Sequence, residues 1–203
     1  MRVLTPGTLT DEALLDDRSD SLLAAISRLG NEFGLATLDM SSGQFQVMEV
    51  NSQEELHSEL QRLNPVETLI PEDLSGLDFL ENRVGVRRRG PWEFDLETAQ
   101  RQLNKHFATH DLTGFGCSHL ILGIGAAGCL LQYARDTQRS NLPHIRAITA
   151  DNRDHAVILD PSTRRNLELN TNLSGGSENT LFQVLDTTAM TMASQLLHRW
   201  LKV

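Results

Sequence analysis

The sequence predicts an α/β protein: a mixed sheet flanked by helices over residues 1–146, followed over residues 147–203 by linker strands and the first part of a helical domain. Three observations predict it. "FGLATLDMSSGQFQVMEV" places two runs of β-branched and aromatic residues on either side of Ser-Ser-Gly, which is hairpin chemistry. "NSQEELHSELQRLN" and "DLETAQRQLNKHFATH" carry apolar residues at helical spacing. From Pro161 onward the composition turns helical and stays so.

The elements follow in order. "TPGT" at residues 5–8 reads as a turn, because Pro6 fixes φ and Gly7 permits a positive one. Thr10 is placed to cap a short acidic helix, "DEALLDD", at residues 11–17. "SLLAAISR" has a helical composition, but its length and the following "GNEFG" turn favour a strand. With the hairpin after it, a three-stranded antiparallel meander results. Ser52 and Glu55 form an S-x-x-E capping box, and Leu56, Leu60 and Leu63 share one face of the helix that Pro65 ends. "VETLIPED" reads as a buried strand and "RVGVRRRG" as one nearer an edge. In the next helix Leu96, Ala99, Leu103 and Phe107 face inward, while Thr98, Arg101, Gln102 and Lys105 point to solvent. "SHLILGIGAAGCLLQYARDTQ" is a further helix, rich in small residues at its start. "LPHIRAITAD" and "HAVILD" are two short strands. A brief helix with Arg164 and Arg165 then meets the Gly175-Gly176 break, and a new helix runs to the last residue. The order of meander, helix, strands and helices fits a three-layer domain with a ribonuclease-H-like sheet.

Bulk properties narrow the function. The chain has 203 residues with 27 acidic and 18 basic side chains, a formal charge of −9. Phosphate is gripped by Lys and Arg that displace counterions, so this balance argues against a chain that holds nucleic acid tightly by itself. The longest apolar run is far short of the roughly 20 residues that span a membrane. The N-terminus lacks the apolar core of an export signal. Cys117 and Cys129 stand twelve positions apart with no second pair, matching neither a disulfide framework nor a zinc site. Both are expected to be reduced and buried, and a cytoplasmic setting is expected with them.

Several short patterns could carry chemistry. Gly123, Gly125 and Gly128 form a literal G-x-G-x-x-G, with Asp151 about where a ribose-binding carboxylate would stand. Such a site would bring backbone amides against a pyrophosphate at a helix N-terminus. However, a motif of this kind normally opens its domain and is followed by further βαβ units. The alternative is a helix lying close to the sheet on its small residues, with Ile124, Ala127, Leu131 and Ala134 at helical spacing. That alternative is preferred. No G-x-x-x-x-G-K-[ST] occurs, so ATP hydrolysis is not expected of this chain. Asp39 sits where a ribonuclease-H-like nuclease would hold a metal ion, with Glu49 and Asp73 as conceivable partners. Asp before Ser-Ser-Gly is also ordinary turn chemistry, and the turn is preferred. His106 and His110 have the spacing of helical metal ligands but lack the Glu of H-E-x-x-H. Arg87, Arg88 and Arg89 could touch phosphate. A charged edge strand that resists edge-to-edge pairing explains them as well and is favoured.

"GAAGCLLQYARDTQRSNLPHIRAIT" and "TRRNLELNTNLSGGSENTLFQVLDTTAMTMASQLLHRWL" resemble the middle of the bacterial MutS family of DNA mismatch-repair proteins. The likeness extends back through "ELQRLNPVETLIPED" and "WEFDLETAQRQLN" and covers essentially the whole chain. It implies a fragment: the connector entire, then the start of the helical lever. The family's Phe-x-Glu mismatch-reading motif belongs upstream and its Walker loop downstream. The resemblance further implies a non-catalytic part, with no cofactor, metal or catalytic residue of its own. ATP, magnesium and mismatched DNA would be handled by other MutS domains of the full-length protein. It also implies the partner protein MutL, for which Thr98, Arg101, Gln102 and Lys105 are the candidate contacts. One departure stands in the last helix, where Ala193 and Gln195 replace the family's usual Gly and basic residue. Because the lever would begin without its neighbours, Leu196, Leu197, Trp200 and Leu201 are expected to be exposed or to pair with a second copy through residues 177–203.

Overall fold

The computed structural model describes residues 22–81, 83–151, 159 and 161–202. The turn expected at residues 5–8, the acidic helix at 11–17 and nearly all of the "HAVILD" strand lie outside the described residues. The meander is present. Strand β1 (Leu22–Leu29) pairs antiparallel with β2 (Glu32–Asp39), and β2 with β3 (Phe45–Val50). Leu29 faces Glu32 across a two-residue turn whose Gly30 has φ of 63°, a conformation glycine takes without strain. The described part of "SLLAAISR", from Leu22 on, is therefore a strand, as its length suggested. Both of its faces are covered, which is why it shows no polar alternation.

Helix α1 (Gln53–Leu63) begins as the capping box requires, with the Glu55 amide donating to Ser52 Oγ at 3.1 Å. The Glu55 carboxylate reaches back one residue further than expected, to the Asn51 amide at 3.1 Å. A cap of this kind contributes about 1 kcal/mol. After Asn64, in the left-handed conformation, β4 (Glu67–Pro71) runs parallel to β1. The short helix α2 (Asp78–Glu81) leads to β5 (Val86–Arg89), parallel to β4 and at the sheet edge. A 3-10 turn (Pro91–Phe94) precedes α3 (Leu96–Phe107), and α4 (Ile121–Gln138) follows. Strand β6 (Thr149–Ala150) closes the other edge, parallel to β3.

The sheet order is β5-β4-β1-β2-β3-β6. Without β6 it reads 3-2-1-4-5 with β2 alone reversed, the ribonuclease-H-like arrangement expected from the sequence. Two cores line its faces. Leu23, Ala25, Leu38, Phe45 and Val47 pack with Leu103 of α3 and Ile124, Leu130 and Leu131 of α4. The alternate residues Ala24, Ile26, Phe33 and Leu35 pack with Leu56, Leu60 and Leu80 of α1 and α2. Burying side chains of this size yields about 1.5–3 kcal/mol each, before the entropy of ordering is subtracted.

The C-terminal segment holds α5 (Pro161–Asn166), α6 (Leu181–Leu185) and α7 (Thr191–Lys202). One helix was expected between the Gly-Gly break and the end; there are two. Asp186 is the reason. Its carboxylate accepts from the Thr188 amide and hydroxyl and from Ser194 Oγ, and such local bonds compete with helical backbone bonds. The segment meets the sheet domain where α5 approaches α1. There Arg62 of α1 pairs with Glu59 at 2.6 Å and with Asp151 at 3.2 Å. Arg164 of α5 donates to the Leu201 carbonyl at 3.2 Å and so ties α5 to α7.

Candidate functional site

The carboxylates offered for metal chemistry have separate structural roles. Asp39 is buried at the end of β2 and accepts from the Ser41 amide at 2.9 Å, Ser41 Oγ at 2.7 Å and Ser42 Oγ at 2.5 Å. This is the turn that the sequence favoured. Glu49, on the neighbouring β3 but opposite Gly34 at the far end of β2 from Asp39, accepts instead from the Leu122 and Gly123 amides at 2.6 and 3.2 Å. Asp73 is exposed in the loop after β4. Among the described residues no group of three His, Cys, Asp or Glu side chains is placed to hold a metal ion.

The G-x-G-x-x-G lies inside α4 rather than before it, and each glycine marks a close approach. A Cβ on Gly128 would overlap Ala99 of α3, and one on Gly125 would lie 2.5 Å from the Phe94 carbonyl oxygen. Gly123 rests against Val47 and Met48 of β3. Where a pyrophosphate would meet the first amides of the helix, the Glu49 carboxylate already sits. The N-cap position is Leu120, with no side-chain cap of its own. A carboxylate reaching over from β3 supplies the missing acceptor and matches the positive end of the helix dipole. The small residues are thus the packing surface of a helix buried nearly all round.

The cationic side chains divide into engaged and presented ones. On β5, Arg87 pairs with buried Glu67 at 3.3 Å, Arg88 donates to the Glu72 and Leu74 carbonyls, and Arg89 pairs with Glu93 at 2.7 Å. Glu67 also accepts from the Tyr133 hydroxyl of α4 at 2.6 Å. The three arginines therefore tie the edge strand inward. His106 bonds the Ile145 carbonyl and Arg135, while His110 is exposed, so the two histidines do not converge. Cys117 and Cys129 are free and buried, and burial pushes the Cys129 thiol up to about 12.

Helix α3 is different. Asp95 caps it by accepting from the Thr98 amide at 2.9 Å, a bond that holds this carboxyl below its usual range. Ala99 and Leu103 are buried against α4. On the far side Glu97, Arg101 and Lys105, spaced four apart, form the exposed stripe. Thr98 and Gln102 flank it and are half-buried, not fully solvent-facing as the helical wheel implied, and Gln102 Oε1 is buried without a hydrogen bond. Neither Arg101 nor Lys105 makes an ion pair with a described residue. Two surface residues carry no motif in the sequence: Glu97, whose spacing to Arg101 is the favourable i, i+4 order, and Trp92, which is 73% exposed.

In this three-layer α/β body the side chains offered for catalysis are bound up in turns, caps and packing. The family model described as MutS domain II matches residues 21–146, more than half of the chain. The chain belongs to the MutS family, and the matched part is its connector, a non-catalytic domain of DNA mismatch-repair proteins.

Proposed function

We propose that this connector is a strut and docking platform in mismatch repair. It joins the mismatch-reading part of a MutS protein to the lever and ATPase parts. It carries nucleotide-driven rearrangements between them as a rigid body, and it presents the outer face of α3 to MutL. Arg101 and Lys105 are the central contacts, flanked by Thr98 and Gln102. ATP and magnesium act in the ATPase part, and mismatched duplex is held by the other domains. With a formal charge of −9 over its 203 residues, the chain repels a phosphate backbone rather than gripping it.

The observation that supports the docking role is the exposed stripe of Glu97, Arg101 and Lys105, whose two cations make no ion pair with a described residue, on a helix fixed by its cap and by its packing on α4. A rigid element with a few long cations holds its register and steers an acidic partner at little ordering cost. Charge reversal tests it. Arg101→Glu with Gln102→Glu should weaken binding of purified MutL at least tenfold in a titration at low salt, with the fold unchanged by circular dichroism. Equal affinity for the variant and the wild type would remove this face from consideration.

A further inference from the structure

At the carboxyl ends of β1, β4 and β5 lies a groove of about 360 Å³. The carboxyl ends of parallel strands are where open α/β sheets hold their ligands. This volume is at the small end of ligand sites, which run from roughly 300 to 1,000 Å³. It has room for a short segment rather than a cofactor. Apolar side chains line part of it: Trp92 from the 3-10 turn, Leu96 at the start of α3, and Ile121 and Leu122 at the start of α4. Trp92 is 73% exposed and Ile121 55% exposed. Both stand on fixed backbone. The Trp92 indole lies flat over Gly90, where any side chain would strike its ring, and the turn is closed by the Glu93 amide donating to the Gly90 carbonyl at 3.0 Å. The rim is acidic. Asp73 and Asp95 line it, and the one cation among the described residues there, Arg28, turns its guanidinium to the Gly30 and Ser75 carbonyls at 2.7 and 3.1 Å.

We propose that this groove docks a partner segment carrying an arginine or lysine beside an aliphatic side chain. The cation stacks on the open face of Trp92, the ring that attracts cations best, and meets Asp73 and Asp95 at the rim. The aliphatic side chain covers Ile121 and Leu96. Such an aromatic anchor amid polar groups is the make-up of interface hot spots. The groove is opposite in charge to the Arg101–Lys105 stripe, so it selects a different segment and stands or falls apart from the docking role of α3.

The chain carries two tryptophans, Trp92 and Trp200, so Trp200→Phe leaves Trp92 as the only reporter. Three blocked hexapeptides serve as probes: alternating leucine and arginine, leucine and glutamate, and serine and arginine. The leucine–arginine peptide should shift Trp92 emission saturably, and the other two should not. Asp73→Lys, on an exposed loop, should weaken that binding at least tenfold, whereas Arg101→Glu should leave it alone. An equal response to the leucine–glutamate peptide, or unchanged affinity in Asp73→Lys, overturns the proposal. So does a concentration-dependent shift without any peptide, which would mean that a second copy fills the groove.

Discussion

His106, in the last turn of α3, sits between two other elements. Arg135 of α4 can only donate, so His106 Nδ1 accepts at 2.7 Å and the proton stays on Nε2, which donates to the Ile145 carbonyl at 2.9 Å. Burial lowers the pKa of the ring. The bond to Ile145 opposes this, and the charges of Arg135 and His144 add to the lowering. The sign follows: the unfolded chain takes up this proton at higher pH than the folded one. The contribution of His106 is therefore fully present above the ordinary histidine value of about 6.5 and is lost as pH falls below it. Thermal midpoints between pH 7.5 and about 5 should fall more steeply for the wild type than for His106→Gln. Parallel curves would show that the ring titrates freely. None of this was legible from the H-x-x-x-H spacing, which speaks only for neighbours on one helix. Ile145 and Arg135 lie 39 and 29 residues away in sequence. Asp39 was legible because its partners, Ser41 and Ser42, are its immediate neighbours.

Among the elements, α4 decides between packing and ligand chemistry. If Gly128 exists for its contact with Ala99, then Gly128→Ala overpacks the α3–α4 interface and should destabilise the chain by about 1–3 kcal/mol. Exchanging the two, Gly128→Ala with Ala99→Gly, should restore much of that loss, less the ~1 kcal/mol a helical glycine costs. Urea unfolding of the single and double variants measures both. A neutral single variant would contradict the packing role, as would a double variant worse than the sum of its parts. Element by element, local signals read well: the Ser52 cap, the Gly30 turn and the inward face of α3 all depend on residues within one turn. The break between α6 and α7 was missed because helical composition outweighed Asp186, whose carboxylate accepts from the Thr188 amide and hydroxyl. The glycines of α4 could be read as small but not assigned their neighbours, since Phe94 and Ala99 meet them only in the folded state.

For the whole molecule, the order of hydrophobic runs was enough for the three layers and the ribonuclease-H-like sheet, because each layer needs an apolar face on the next. Strand β6 was foreseen as an element, but its place beside β3 depends on a parallel pairing that no local signal encodes. The C-terminal helices keep apolar surface open. Trp200 is 65% exposed, Leu196 42% and Val184 70%, while Leu197 and Leu201 are half-buried. Apolar side chains on one short segment favour contact with a second copy. Light scattering should show a mass rising with concentration for residues 1–203 and a constant monomer mass once 177–203 are removed. A monomer at all concentrations for both would contradict this.

The central claim is that the domain acts by contact and position, not by catalysis, and Asp39 is where that claim is most exposed. The direct measurement is a time course of supercoiled plasmid with the purified chain and magnesium. The account predicts no cleavage above buffer, for the wild type and for Asp39→Asn alike. Cleavage by the wild type that Asp39→Asn abolishes would contradict it.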